Sequence, residues 1–245
     1  MSDISLTVIG SGDAFGSGGR FNTCFHVKSA LHSFLIDCGA SSLVALKQNK
    51  ILPDDIDTIF ITHFHGDHYG GVPFLLLEMA VYQRSKPVQV LSPPGGKDKI
   101  QALLELLYPG TIVLEKLNIL FTEYEANVPF QVKNMKVVAY KVPHSEAAQS
   151  HALRFELDHK TIAYSGDTEW TDALIPLSQN ADIFICECNF FQLQIKNHLN
   201  YRTLSEKRDS FSCKRMLLTH FDTEMLENQD KIGIDMTCDG MKIDL

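Results

Sequence analysis

Thr62-His63-Phe64-His65-Gly66-Asp67-His68 places three imidazoles and one carboxylate within six residues, and no other part of the chain concentrates metal-ligand chemistry so densely. His63 and His65, two apart, share one face of an extended segment, and Gly66 lets the chain turn before Asp67 and His68. The two pairs are thereby offered to two neighbouring cations. The apolar run Thr58-Ile59-Phe60-Ile61 reads as a buried strand feeding this loop, and Gly70-Gly71-Val72-Pro73 followed by Phe74 to Ala80 reads as a helix leaving it. Neutral imidazole and carboxylate at this spacing suit zinc, manganese or iron. The plainer alternative is an exposed polar loop.

The rest of the chain sets bounds. Its 245 residues, 44% hydrophobic, can bury a substantial core, and without a linker-like tract or short-period repeat one domain over 1–245 is expected. Met1 to Leu6 has no basic or long apolar leader pattern, and no run approaches a membrane span, so a soluble, unexported chain is expected. Cys24, Cys38, Cys186, Cys188, Cys213 and Cys238 show no CxxC spacing and read as reduced thiols of the cytoplasm. A net charge of -8 with no basic run disfavours a long nucleic acid as partner. It suits a small anionic substrate held at cations inside a site.

Ile4 to Ile9 alternates as a strand and runs into the glycine-rich Gly10 to Arg20. A second strand (Thr23 to Lys28) follows where a dinucleotide-binding fold would open a helix. Ser33 to Gly39 is a strand closing on Asp37, and Leu43 to Leu46 lies in the next helix. Further strands are read at Pro87–Leu91, Ile119–Tyr124, Phe130–Val132 and Lys136–Val142, with a helix over Asp98–Tyr108. This mixture fits an α/β four-layered αβ/βα sandwich better than a doubly wound sheet, and periodicity alone leaves both open.

One pattern recurs down the chain: an apolar strand, then a potential ligand at its carboxyl end. Val137 to Val142 leads to His144, Thr161 to Ser165 to Asp167, and Met216 to Thr219 to His220. Strand ends converge on one edge of a sheet, and a carboxylate such as Asp167 has two oxygens with which to bridge two cations. His151, inside an alternating strand, reads as a packed or hydrogen-bonded histidine.

The Thr62–His68 stretch resembles the HxHxDH signature of the metallo-β-lactamase-fold hydrolases. His144, the Ser165-Gly166-Asp167-Thr168 segment and His220 resemble its later motifs, so the resemblance runs from about Ile4 to Phe221. It implies His63, His65 and His144 on one metal, Asp67, His68 and His220 on the other, and Asp167 on both. Asp37 matches the strand-end Asp that supports the metal loop in that superfamily. The glycine-rich first loop is similar to that of the ribonuclease Z-like branch. His198 stands where that branch carries a non-ligand histidine, and Glu187 where it carries the acid that orients it. The short motif there usually begins with His, where this chain has Cys186. Asp67, His198 and Glu187 are therefore the catalytic candidates.

The resemblance implies two divalent ions, zinc first with manganese or iron fitting the same donors, and hydrolysis by a metal-bridged hydroxide. A histidine that protonates a leaving alkoxide marks the phosphodiesterase branch. True ribonuclease Z inserts a long tRNA-gripping arm between the third and fourth motifs, whereas His144 and Asp167 here lie only about 23 residues apart. The reading is a short-form phosphodiesterase cleaving a small phosphodiester, cyclic nucleotide or oligonucleotide end. A ribonuclease Z-like tRNA 3′-end endonuclease comes second, a lactonase or thioesterase would not require His198, and a non-catalytic metal protein is disfavoured by the complete donor set. A homodimer through the apolar helix of Phe74 to Tyr82 is expected, as is a pocket shaped by Gly16–Thr23 and Phe190–Leu204.

Overall fold

The computed structural model describes residues 4–245, so Met1 to Asp3 of the expected 1–245 domain lie outside the described residues. The first sheet holds β1 (Ser5–Gly10), β2 (Cys24–Lys28), β3 (Ser33–Ile36), β4 (Thr58–Phe60), β5 (Val88–Ser92) and β6 (Ile119–Glu123). The second holds β7 (Phe130–Val132), β8 (Met135–Lys141), β9 (His151–Leu157), β10 (Lys160–Tyr164), β11 (Ile183–Glu187), β12 (Met216–Thr219) and β13 (Asp235–Met236). The last strand, β14 (Lys242–Asp244), returns to the first sheet beside β1. In each sheet antiparallel pairing gives way to parallel pairing, at β3 in the first and at β10 in the second.

The strands read as near-continuous apolar runs because both faces are covered. On one face Phe34, Phe60, Phe155 and Tyr164 fill the space between the sheets, with Phe60 and Phe155 edge to face at 5.0 Å. On the outer face of the first sheet, Leu35, Ile59 and Ile61 pack under α1 (Ser42–Gln48) and, beyond the short α2 (Gly66–Tyr69), under α3 (Val72–Val81) and α4 (Gly96–Leu107). On the outer face of the second sheet, Ala163, Phe184 and Leu218 meet α5 (Leu174–Ser178), α6 (Tyr201–Glu206) and α7 (Thr223–Glu227). The four layers are those of an αβ/βα sandwich. No helix among the described residues is long and apolar enough to cross a membrane.

Two local readings change. The chain does not turn sharply at Gly66: that residue opens the single helical turn α2, and a Cβ there would meet nothing within 4 Å. Close approach is required instead at Gly71, where a Cβ would lie 2.1 Å from the Gly39 carbonyl oxygen, so the metal loop is pressed against the segment after Asp37. Gly166, by contrast, is required twice over. Its φ is +58°, and a Cβ would stand 2.5 Å from the His151 carbonyl oxygen.

Candidate metal centre

The carboxyl ends of β3, β4, β8, β10, β11 and β12 meet at one edge of the sandwich, which is what brings residues from distant parts of the chain together. His63, His65 and His144 form one group of donors; Asp67, His68, Asp167 and His220 form a second. In the first group His65 Nδ1 lies 3.2 Å from His63 Nε2 and 3.0 Å from His144 Nε2. In the second, His68 Nε2 is 3.2 Å from both Asp67 and Asp167, and His220 Nε2 is 3.2 Å and 3.3 Å from the same two carboxylates. Donors about 2.05 Å from a tetrahedral ion would stand about 3.3 Å apart, so these spacings fit the edges of a coordination polyhedron. Asp167 Oδ2 also reaches His63 and His144, each at 3.8 Å, and so stands between the groups.

Two buried atoms test whether a cation fits. His68 Nε2, though 3.2 Å from the Asp67 and Asp167 carboxylates, makes no hydrogen bond, and neither does Asp167 Oδ1, although unsatisfied buried polar atoms are costly. A cation held by these donors would take up the free Nε2, and the mixed imidazole and carboxylate set suits a divalent metal. Burial alone would raise the Asp67 and Asp167 carboxyls. The neighbouring His68 and His220 outweigh it and hold both well below the usual carboxylate range, so oxygen donors are ionised. Burial, reinforced by adjoining imidazoles, pushes His63 and His65 down, keeping them neutral donors.

Partners behind the donors fix which ring nitrogen faces inward. His68 Nδ1 donates to Asp37 at 2.7 Å. Asp37 also accepts from Thr62 N at 2.8 Å and from the Thr62 hydroxyl, whose oxygen lies 3.0 Å from His63 Nδ1. One buried carboxylate thus braces two candidate ligands. His144 Nδ1 donates to the Asn197 carbonyl at 2.7 Å, and the Asn189 side-chain amide lies 2.7 Å from His220 Nδ1. The atom in contact is Asn189 Nδ2, which holds the His220 ring in place while Nε2 faces the carboxylates of Asp67 and Asp167. Asp37 and His220 sit at φ of 59° and 63°, a left-handed backbone that costs a non-glycine residue about 1–2 kcal/mol and is held by these contacts.

His198 stands beside both groups. Its ring lies 4.8 Å from that of His144 and is stacked at 5.6 Å on that of His220. Its Nδ1 is 3.2 Å from Glu187 Oε1, and the Glu187 carboxylate, fully buried, also accepts the Thr168 and Leu199 backbone N–H groups. Burial would lower the His198 pKa, but Glu187 and then Asp167 overcome it and raise it to about 9. The preceding peptide is pinned as well, since Asn197 N donates to Glu169 at 2.6 Å. Cys186 points the other way, into the core under α5 and α6, so its replacement of the usual histidine leaves the Glu187–His198 contact intact.

A cavity of about 400 Å³ opens over the centre, with Asp13, Phe15, Asp67, Phe190, Ile195 and His198 among its walls. Of the expected Gly16–Thr23 in the first loop only Ser17 lines it, joined by Asp13 to Phe15 just before, while the expected Phe190–Leu204 supplies Phe190, Ile195 and His198. Phe15 is 92% exposed at its rim. The back of that loop is instead clamped from the far end of the chain. Asp239 accepts from Ser11 N at 2.9 Å, Ser11 Oγ at 2.7 Å and Phe21 N at 2.8 Å, and the Ser11 carbonyl in turn accepts His220 N at 3.0 Å. The structure brings together all seven of the donors expected from the sequence, with Asp37 behind them. Asn189, Glu169, Asp13 and Asp239 stand beside them unexpected, and of these only Asn189, two residues past Glu187 at a strand end, carries a local signal. His151 is packed, as expected, with Nδ1 2.6 Å from the Gln149 carbonyl.

Comparison with known proteins agrees with this geometry. A ribonuclease Z of Agathobacter rectalis is 22% identical over 94% of this chain and 91% of its own length. The metallo-β-lactamase-fold protein YhfI of Bacillus subtilis superposes with a TM-score of 0.81 at 22% identity, covering both chains fully. The short form of human tRNase Z gives 0.79 at 22% identity over 98% of each chain. The family model described as Anti-Pycsar protein Apyc1 matches residues 4–237, a span that holds both donor groups and the Glu187–His198 pair. A match over so much of the chain, on a ribonuclease Z-like metallo-β-lactamase sandwich with two abutting sets of metal donors, makes this chain a dinuclear metal-dependent hydrolase belonging to the Anti-Pycsar protein Apyc1 family.

Proposed function

We propose that the chain is a phosphodiesterase cleaving a small phosphodiester, cyclic nucleotide or oligonucleotide end. The observation that carries this reading is the Glu187–His198 pair set against both donor groups. His63, His65 and His144 would hold one divalent ion, Asp67, His68 and His220 the other, and Asp167 both, with zinc the first choice. When bound, such a pair supplies activated water and neutralises charge on the phosphoryl oxygens. His198 would keep a proton at neutral pH because Glu187 stabilises its imidazolium, and would deliver it to the departing oxygen. Asp37, Thr62 and the Asn197 carbonyl would hold the rings of His68, His63 and His144 in one tautomer, Asn189 would hold the His220 ring in place, and Asp67 would serve both as donor and in placing the attacking water.

Size and charge support a small substrate. The cavity of about 400 Å³ admits a nucleotide-sized group, and its Asp13 side chain is occupied by Ser17 N and Oγ at 2.9 Å each. The tRNA-processing reading draws on the name of the Agathobacter rectalis relative. Against it stand the net charge of -8 and the stretch between His144 and Asp167, which is taken up by the β9–β10 hairpin. Residues 1–245 are read as one hydrolase domain of the cytoplasm. It would pair into a homodimer through α3 and the exposed Val81 and Tyr82 that follow its buried face; a monomer by light scattering at micromolar concentration would refute the pairing.

The test is hydrolysis of bis(p-nitrophenyl) phosphate by metal-loaded protein, with a lactone, a thioester and precursor tRNA in parallel. Turnover of the phosphodiester that Asp167→Ala and His198→Ala each reduce by about 100-fold or more is the expected result. Rapid opening of the lactone or thioester with no phosphodiester turnover would overturn it.

A further inference from the structure

A second cavity, of about 420 Å³, adjoins the one over the metal centre, and the two share His198 and Ile195 in their walls. None of the seven candidate ligands lines it. Its walls carry Trp170, Lys196, Glu169, Gln194, Asn200 and Thr203: one large aromatic ring, one cation, one carboxylate that is engaged by Asn197 N, and several hydrogen-bonding groups. The indole is braced rather than loose. Phe211 meets it edge on at 5.7 Å, and the Lys207 ammonium lies 5.5 Å from its ring centre. Wall and proton donor are also tied together, because Glu169, the residue before Trp170, holds Asn197 N, the residue before His198.

We infer that this second cavity is the leaving-group subsite, built for a departing alcohol that bears a planar, hydrogen-bonding heterocycle such as a nucleoside. The inference rests on the phosphodiesterase reading and follows from where a general acid must stand. An imidazole that protonates the departing oxygen has to lie within hydrogen-bond reach of it, so that oxygen sits at His198. The phosphoryl group occupies the metal side, and the organic part of the leaving alcohol must extend away from it. The cavity beyond His198 is the space available. The step balances: water adds its OH to phosphorus and sheds one proton, the P–O bond to the alcohol breaks, the His198 proton goes to the alcohol oxygen, and the proton shed by water restores the His198 imidazolium through solvent. Trp170 offers a face for a base, a contact that tolerates different bases because each has a π-face. Lys196 adds a positive charge at the mouth for a leaving group that carries a further phosphate.

The experiment uses a property of this chain: Trp170 is its single tryptophan, so fluorescence under tryptophan-selective excitation, which leaves the seven tyrosines dark, reports this cavity. Metal-loaded protein is titrated with nucleosides, and with ribose as a base-free control. In parallel, kinetics are compared for a dinucleotide and for the methyl ester of the same nucleotide, two substrates that differ only in the leaving alcohol. Quenching by nucleosides and not by ribose is expected. Trp170→Ala should raise KM for the dinucleotide about tenfold and for the methyl ester far less, with Trp170→Phe recovering most of the loss. Equal KM changes for both substrates together with no quenching would overturn the subsite while leaving phosphodiester hydrolysis standing. Quenching without hydrolysis of either ester would support the cavity as a nucleoside site and overturn the phosphodiesterase reading instead.

Discussion

Asp37→Asn is the substitution that tests how the metal centre is held. Asp37 is fully buried and touches no cation in the arrangement proposed, yet its two oxygens take three donors: Thr62 N at 2.8 Å, the Thr62 hydroxyl at 2.8 Å and His68 Nδ1 at 2.7 Å. Asparagine keeps the size and one acceptor oxygen but turns an NH2 group toward one set of donors, leaving at least one buried donor unpaired. Each unpaired donor costs about 1–3 kcal/mol, and the lost charge assistance to His68 adds to it. Alanine would be a poorer probe. At φ of 59° it adds backbone strain of about 1 kcal/mol, whereas asparagine tolerates that conformation. The expected outcome is a loss of about 2–3 kcal/mol in stability of the metal-loaded protein. A weakening of metal affinity by about 10–100-fold should accompany it, read by chelator competition. Metal affinity within twofold of wild type would refute the bracing role assigned to Asp37.

Three further outcomes follow from the same contacts. Asp239→Ala leaves Ser11 N and Phe21 N without their acceptor and loosens the loop that holds His220 N; about 2 kcal/mol of stability should be lost by urea denaturation, with a measurable fall in metal affinity, and an unchanged affinity would separate the clamp from the centre. Glu187→Gln removes the charge that favours protonated His198, so kcat should fall about 10–100-fold and the alkaline limb of the pH profile should move to lower pH; an unmoved limb would remove His198 as the proton donor. His26, buried between β1 and β3 and 2.8 Å from Ser33 Oγ, is lowered by burial to about 4. Because the unfolded chain takes up that proton near pH 6.5 and the folded chain only near 4, its contribution is fully present above 6.5 and falls between the two values. The limit is about 3 kcal/mol. His26→Gln should flatten that acid slope in urea titrations, and a slope identical to wild type would contradict the assignment.

The sequence carried most of the fold because the strands are buried on both faces, so runs such as Ser33–Ile36, Thr58–Phe60 and Ile183–Glu187 show themselves as apolar segments without partners in view. It missed α2, α6 and α7, helices of four to six residues too short to show a helical period, and β13 and β14, which are two and three residues long. The donors were legible for a related reason: each stands at the end of such a strand, and imidazole and carboxylate announce their chemistry by type.

What the amino-acid order determined by itself, then, was the kind of chain this is and which side chains are candidates for its chemistry: buried strands, each delivering a histidine or an acid. What only the tertiary structure decided was how those side chains are held. His68 is oriented by Asp37 and His220 by Asn189, each 31 residues away; His144 is oriented by a carbonyl 53 residues away, and the first loop is clamped by Asp239 across 228. No local periodicity encodes such pairs, because a hydrogen bond between distant segments is fixed by how two sheets close on each other and leaves no trace in the neighbouring residues.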